Sequence, residues 1–225
     1  MSMARFPQPP CDKDSQKWIQ RIINNQPEHL NSQIKAKLNL SRDEHIQWLS
    51  PLKDDRYSEY RDQEFIDLLG VKLTVKPLAD FWPERGPQWD ALGKSSSGKL
   101  FLVEAKSHIP ELISSLQAGD EESIKKIKTS LEETKDYLNS RAKVEWTQCF
   151  YQYTNRIAHL YLLRKNDLPA YLIFVYFLND VEMNGPTTYY EWEGALRLLN
   201  SYLGIGKHKL QKFITDVYVD VRTLL

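Results

Sequence analysis

The sequence has few cysteines, no long apolar run and no excess of charge of either sign. Its two cysteines, Cys11 and Cys149, form no CxxC or Cys/His spacing, which excludes a disulfide framework and argues against a structural zinc site. The longest apolar run, AYLIFVYFL, is too short to cross a bilayer, and MSMARFPQPP lacks the apolar region of a secretory signal. We therefore expect a cytoplasmic protein with no membrane partner.

The formal net charge of zero argues against a protein that wraps long nucleic acid through electrostatics alone. It does not exclude a local basic cleft, because net charge says nothing about the distribution of charges. The chain has 225 residues, of which 41% are hydrophobic, so it is long enough for one sizeable core. We expect a single folded unit.

Hydrophobic periodicity predicts how this unit is organised. Residues 1–50 contain short helical patterns, among them a capping box at Ser41–Glu44, and are expected to form a helical extension packed on the core. Residues 51–225 would form the main domain, which begins with a helix over Tyr57–Leu69 and a strand over Val71–Val75. A hairpin of Gln88–Lys94 with Lys99–Lys106 follows.

Beyond the hairpin, the pattern predicts two helices, a buried strand, a further helix and a last strand. These elements are expected over Ser123–Asn139, Trp146–Arg164, Ala170–Leu178, Trp192–Leu203 and Ile214–Val221. Such an order favours an α/β fold in which a central mixed β-sheet carries helices on both faces.

The second strand of the predicted hairpin ends on two opposite charges. Alternation along KLFLVEAK places Glu104 and Lys106 on one face, after two leucines. The side chain of Asp90, in the first strand, depends on the register. If a four-residue loop pairs Lys94 with Lys99, Asp90 points away from Glu104, whereas a three- or five-residue loop or a bulge places it on the same face. The sequence leaves both registers open.

If the two acidic side chains converge, Asp90, Glu104 and the backbone carbonyl of Ala105 form a set of hard oxygen ligands that suits Mg²⁺ or Mn²⁺. Such an ion polarises a phosphodiester and lowers the pKa of a bound water. Lys106 beside it would orient or activate the attacking water, or stabilise the charge of the transition state. These residue types therefore predict metal-dependent hydrolysis of a phosphate ester.

Asp90 followed by the EAK of residues 104–106, at the end of a hydrophobic hairpin strand, resembles the PD-(D/E)xK nuclease superfamily, which has the restriction-endonuclease-like fold. The resemblance covers the helix, meander, helix and strand predicted over residues 57–178, with Trp89 where the family often has proline. It implies a nuclease that acts on DNA, with RNA as an open alternative. The family often supplies a further acidic metal ligand from the helix before the meander, and Glu64 is the matching residue.

The second helix predicted after the hairpin, Trp146–Arg164, carries a polar stripe of Gln152, Arg156 and His159. In the family this helix can lean over the site, so Gln152 is expected to hold a water or phosphate, and Arg156 to contact the nucleic-acid backbone. Lys94 and His108, on either side of the acidic residues, are further candidates for nucleic-acid contacts.

Each of these features also has a purely structural interpretation. Glu104 and Lys106 can form a surface ion pair, Glu64 can pair with Arg61, and the polar stripe of Gln152 can be a solvated helix face. Two competing functions follow: an idle nuclease fold that binds nucleic acid or protein, and a hydrolase of another phosphate ester. Cutting both strands of a duplex would favour a homodimer, for which the sequence carries no signature.

Overall fold

A computed structural model describes residues 4–224. The strands of this region are Arg5–Phe6 (β1), Ile46–Ser50 (β2), Glu59–Tyr60 (β3), Ala91–Ser95 (β4), Leu100–Lys106 (β5), Ala170–Leu178 (β6) and Ile214–Asp220 (β7). The α-helices are Asp14–Asn25 (α1), Pro27–Lys37 (α2), Asp62–Leu68 (α3), Leu78–Phe81 (α4), Glu121–Leu138 (α5), Tyr151–Lys165 (α6) and Tyr189–Leu203 (α7). None of the described helices is long and apolar enough to span a membrane.

A five-stranded mixed sheet with the strand order β2-β4-β5-β6-β7 forms the centre of the molecule. Strands β2, β4 and β5 are antiparallel neighbours, whereas β5, β6 and β7 run parallel to one another. The two middle strands, β5 and β6, are buried on both faces, which explains why their sequences are continuous apolar runs. The expected α/β fold with a central mixed sheet is confirmed.

Helices cover both faces of this sheet. One face packs on α1 and α2 through an apolar cluster that includes Trp18, Phe101 and Val103. The other packs on α3, α5, α6 and α7 through a cluster that includes Leu102. Because side chains alternate along a strand, Glu104 follows Leu102 onto the second face. The charged end of β5 is therefore directed towards the layer that contains α6.

The edge strand of the sheet comes from a different segment than the sequence predicts. Val71–Val75 alternates like a strand, yet the side chain of Asn166 accepts hydrogen bonds from the backbone of Val75 and Lys76, at 2.8 and 3.1 Å, and the segment pairs with no strand. Ile46–Ser50 takes the edge position instead, antiparallel to β4. The helical prediction for this part of residues 1–50 is therefore wrong.

The capping box that suggested a helix there has another role. Glu44 is buried and accepts hydrogen bonds from Lys99 at 2.9 Å and from Ser97, so its carboxylate ties the segment before β2 to the hairpin turn. The helical part of the N-terminal region ends at Lys37.

The helix predicted over Tyr57–Leu69 is also shorter than expected. Glu59 and Tyr60 form a short strand with β1, and the helix begins only at Asp62. Its C-terminal end agrees with the prediction, since Gly70 adopts a left-handed conformation just after it, with φ of +66°. This change of element decides which acidic residue reaches the site described below.

Candidate active site

The register of the β4–β5 hairpin brings the acidic residues together. Ala91 lies opposite Val103 and Lys94 opposite Leu100, so residues 95–99 separate the paired positions and Asp90 lies across from Glu104. The loop between the paired positions therefore has five residues, which is one of the alternatives that place Asp90 on the same face as Glu104. Gly98 supports this turn by adopting a φ of +84°. The Oδ2 atom of Asp90 accepts a hydrogen bond of 2.7 Å from the backbone N–H of Ala105, which fixes the carboxylate against β5.

Glu104 is the electrostatic centre of the site. Its side chain is only 2% exposed, and its two carboxylate oxygens lie 2.5 Å from Nζ of Lys106 and 2.5 Å from Nε of Arg156. Burial alone would raise the pKa of Glu104, but the two cations outweigh it and hold that pKa below its ordinary value. Glu104 is therefore an ionised carboxylate in the interior.

The pKa values of Asp90 and Lys106 are both raised, which favours the neutral acid for Asp90 and the charged ammonium for Lys106. Burial and the nearby charge of Glu104 raise the pKa of Asp90 well above its ordinary value. For Lys106, burial favours the neutral amine, but Glu104 and Asp90 reverse the effect and raise its pKa. Lys106 is thus held as an ammonium ion, and it donates a second hydrogen bond of 3.1 Å to Oε1 of Gln152.

These side chains line a cavity of about 880 Å³ at one end of the sheet. Its walls are the loop of residues 83–88, the loop of residues 113–120 and the first turns of α5 and α6. The charged and amide side chains that line it include Glu59, Asp90, Glu104, Lys106, Gln152 and Arg156. Asp90, Glu104, Lys106 and Gln152, separated by up to 62 positions in sequence, are thus brought to one place.

Glu59 is a site residue that the sequence did not reveal. It is 5% exposed, and its Oε1 atom accepts a hydrogen bond of 2.8 Å from Gln16, while Gln88 donates to Oε2. Burial raises the pKa of Glu59, and the charge of Glu104 acts in the same direction. Ser58 and Asp62, on either side of Glu59, are residue types that favour helix ends over helix interiors. Their positions in the sequence indicate that the helix begins after Glu59.

Glu64, which the resemblance offered as the extra acidic ligand, is not in this cavity. Its side chain is exposed and lines a separate groove beside Leu78 and Trp82. The reason is the shortened helix: with Asp62 at its start, Glu64 lies in the first turn and faces solvent. Glu59, from the strand before the helix, occupies the place expected for Glu64.

The two outlying candidates for nucleic-acid contacts also lie outside the cavity. The Nζ atom of Lys94 is 3.3 Å from the carbonyl oxygen of Leu69, towards the far end of the hairpin. Nδ1 of His108 is 3.1 Å from Oε1 of Glu111, whose other oxygen accepts the backbone N–H of Ser107 at 2.9 Å. The structure does not bring Lys94 or His108 to the acidic residues.

Arg156 lies in the cavity wall, but its donors are already engaged. Besides Glu104, its guanidinium donates to the carbonyl of Gln88 at 2.7 Å and to Oδ1 of Asn155 at 3.0 Å. It also lies over the ring of Trp89, 4.9 Å from the centroid. Arg156 is only 5% exposed, so it braces Glu104 and the start of β4, and the expected contact with a nucleic-acid backbone does not fit this arrangement.

His159, the last member of the polar stripe, belongs to the core. Its ring is 1% exposed, lies 4.8 Å from that of Trp82, and hydrogen-bonds through Nδ1 to the carbonyl of Asn155 at 2.8 Å. Burial lowers the pKa of His159 to about 3, so the imidazole is neutral. The three residues of the stripe therefore have different roles: Gln152 lines the cavity, Arg156 stabilises Glu104, and His159 packs in the core.

The donor set fits one kind of metal ion. Among residues 4–224, no group of three or more His, Cys, Asp and Glu side chains could hold an ion unaided. Mg²⁺, however, is commonly bound through one or two carboxylates, with water and substrate phosphate completing its shell. Asp90 and Glu104 supply such carboxylates, and burial, together with the charge of Glu104, raises the pKa values of both Asp90 and Glu59 in this cavity.

No protein-family model, curated protein or solved structure matches the chain.

Proposed function

We propose that the protein is a metal-dependent nuclease of the PD-(D/E)xK type, which hydrolyses phosphodiester bonds in DNA. One observation carries the proposal: the hairpin register directs Asp90 and Glu104 to the same cavity, with Lys106 hydrogen-bonded to Glu104 at its edge. Two carboxylates beside the cleft can hold a metal ion, and an ammonium group next to them can stabilise the charge that develops on a phosphodiester during hydrolysis.

Asp90 and Glu104 would hold Mg²⁺ or Mn²⁺, and Glu59, which lines the same cavity, would bind a water of the ion's shell. The ion, when bound, polarises the phosphodiester and lowers the pKa of the attacking water. The carbonyl of Ala105, a third ligand implied by the sequence, stays a prediction. Asp90 is held in place by the N–H of that same residue, so the aspartate and the end of β5 form one rigid unit.

Lys106 acts through its charge. Because its pKa is raised, it carries a proton at neutral pH and is a hydrogen-bond donor with no free lone pair. It would therefore orient the attacking water or a non-bridging phosphate oxygen and stabilise the negative charge that develops there. Gln152 accepts from Lys106 at 3.1 Å and holds the ammonium group at the cavity, which makes it a positioning residue.

The burial of charge favours an active site over an idle fold. A structural ion pair needs only Glu104 with Arg156 or Lys106, and it gains nothing from two further carboxylates in the same cavity. Asp90 and Glu59 both have raised pKa values, so their presence costs stability in the absence of a cation. Clusters of perturbed groups in a cleft are characteristic of functional sites.

The test is cleavage of supercoiled, linear, nicked and single-stranded DNA with Mg²⁺, with Mn²⁺ and with chelator. Asp90→Asn and Lys106→Met should abolish metal-dependent cleavage, whereas the matched controls Glu64→Gln and Lys94→Met, outside the cavity, should retain it. DNA binding that neither requires metal nor leads to cleavage would favour the idle module. Absence of both cleavage and calorimetric metal binding would overturn the proposal.

A further inference from the structure

The cavity offers very little positive charge to a substrate. Of the described residues that line it, the cationic ones are Arg85, Lys106 and Arg156. Lys106 and Arg156 are buried and already paired with Glu104. Arg85 is exposed, and its guanidinium has no partner in the described part of the chain. One cation is thus available to contact a phosphate beyond the reacting one.

Acidic groups at the rim reduce the attraction for phosphate further. Glu84 and Asp120 are both exposed and line the cavity. Asp120 also occupies the N-terminus of α5, where its Oδ1 accepts the backbone N–H of Ser123 at 2.8 Å, so that helix end is not open to a phosphate. A DNA duplex carries about one negative charge per 1.7 Å of its axis, and this rim would repel it.

The uncharged part of the wall is suited to bases. Ser115 and Gln117 are exposed in the loop of residues 113–120 and hydrogen-bonded to each other, Nε2 to Oγ, at 2.9 Å. Ile113, in the same loop, is 69% exposed and presents an apolar surface to the cavity. Amide and hydroxyl groups read base edges, and apolar surfaces contact base faces, but the Watson–Crick edges and faces are accessible only in unpaired strands.

The size of the cavity agrees with this interpretation. Its volume of about 880 Å³ lies within the range of clefts that hold small ligands, roughly 300–1,000 Å³, and is enough for a few nucleotides. Resting on the proposed nuclease function, we propose that the substrate enters as a short single-stranded segment of DNA, held by its bases and by few phosphate contacts.

The experiment is fluorescence anisotropy with a labelled oligonucleotide, single-stranded or annealed to its complement, at several salt concentrations in Ca²⁺, with cleavage in Mg²⁺ measured on the same strands. The single strand should bind more tightly than the duplex, with a log–log salt slope of about −0.7 to −1.4, equivalent to one or two phosphate contacts. Arg85→Gln should reduce the steepness by about 0.7, and Arg141→Gln, an exposed arginine outside the cavity, should leave it unchanged.

A duplex that binds as tightly as the single strand, or a slope of about −5 or steeper, would overturn the inference, because it would require many more phosphate contacts than the cavity provides. Tighter binding of the equivalent RNA strand would overturn the assignment to DNA. Single-strand binding without cleavage would contradict the nuclease proposal but support this one. Cleavage of duplex with a steep salt dependence would do the reverse.

Discussion

Replacing Arg156 by methionine is the most informative perturbation of the buried charges. The substitution keeps the length and much of the apolar stem of the side chain but removes the guanidinium. That group bonds to Glu104 at 2.5 Å, to the carbonyl of Gln88 at 2.7 Å and to Asn155 at 3.0 Å. Arg156→Met therefore leaves Glu104, which is 2% exposed, with one cationic partner in place of two.

The expected loss follows from the general cost of breaking a buried pair. Removing one partner of such a pair destabilises a protein by about 3–5 kcal/mol. Lys106 still neutralises Glu104 in the variant, so we expect the lower end, roughly 3 kcal/mol. In a domain of this length, each kcal/mol lowers the Tm by about 2–4 °C, which gives a fall of roughly 6–12 °C.

The assay is urea unfolding of wild type, Arg156→Met, Glu104→Gln and the double variant. Because the two residues interact directly, the double variant should lose less stability than the sum of the single losses, by about 1 kcal/mol or more. Arg164→Met is the matched control on the same helix, since its guanidinium lies over Phe213 instead of a carboxylate. Strict additivity, or a loss for Arg156→Met no larger than that of the control, would show that Arg156 does not stabilise the buried charge of Glu104.

Three further predictions concern Glu59 in the cavity, His159 in the core and Gly185 in the loop after β6. Glu59→Gln should weaken Mn²⁺ binding in calorimetry and slow cleavage, while Glu64→Gln should change neither. His159 has a pKa lowered to about 3, whereas the unfolded chain takes up this proton near pH 6.5, so stability should fall as pH decreases below 6.5. When the free energy of unfolding is measured by urea titration at several pH values below 6.5, it should fall with decreasing pH more steeply in wild type than in His159→Phe. The difference should approach about 1.4 kcal/mol per pH unit. Gly185→Ala should lower both the Tm and the cleavage rate, because an added Cβ would lie 2.4 Å from the carbonyl oxygen of Ser107, immediately after the β5 strand.

These predictions have separate contradicting results. Equal metal affinities for the variants of Glu59 and Glu64 would remove Glu59 from the site. Identical pH slopes for wild type and His159→Phe would mean that the buried histidine takes up its proton in the folded state. A Gly185→Ala variant with unchanged Tm would show that the loop after β6 moves away from Ser107 at little cost.

The centre of the sheet was predictable because its sequence signal is local. The segments LFLVEAK and AYLIFVYFL are continuous apolar runs, and such runs require burial on both faces wherever they occur. The shared face of Glu104 and Lys106 follows from strand alternation alone. The predicted bounds of β6 agree with the structure for the same reason.

The errors arise where distant residues decide the outcome. Val71–Val75 alternates like a strand, but the backbone N–H of Val75 donates to the side chain of Asn166, more than 90 positions away. Ile46–Ser50 pairs with β4 instead. The side of Asp90 depends on the hairpin loop, whose length the sequence left open. Likewise, the role of Arg156 follows from its contact with Glu104, 52 positions earlier, and periodicity along one helix carries no information about it.

In the proposed metal-dependent hydrolytic site, the ammonium group of Lys106 acts beside Asp90 and Glu104. The most direct measurement is the single-turnover rate of cleavage of a labelled single-stranded oligonucleotide at saturating Mg²⁺, for wild type and Lys106→Met at matched folded concentration. We expect a loss of about 100-fold or more in the variant and no cleavage by either protein in chelator. Equal rates for the two proteins, or cleavage that persists without metal, would contradict it.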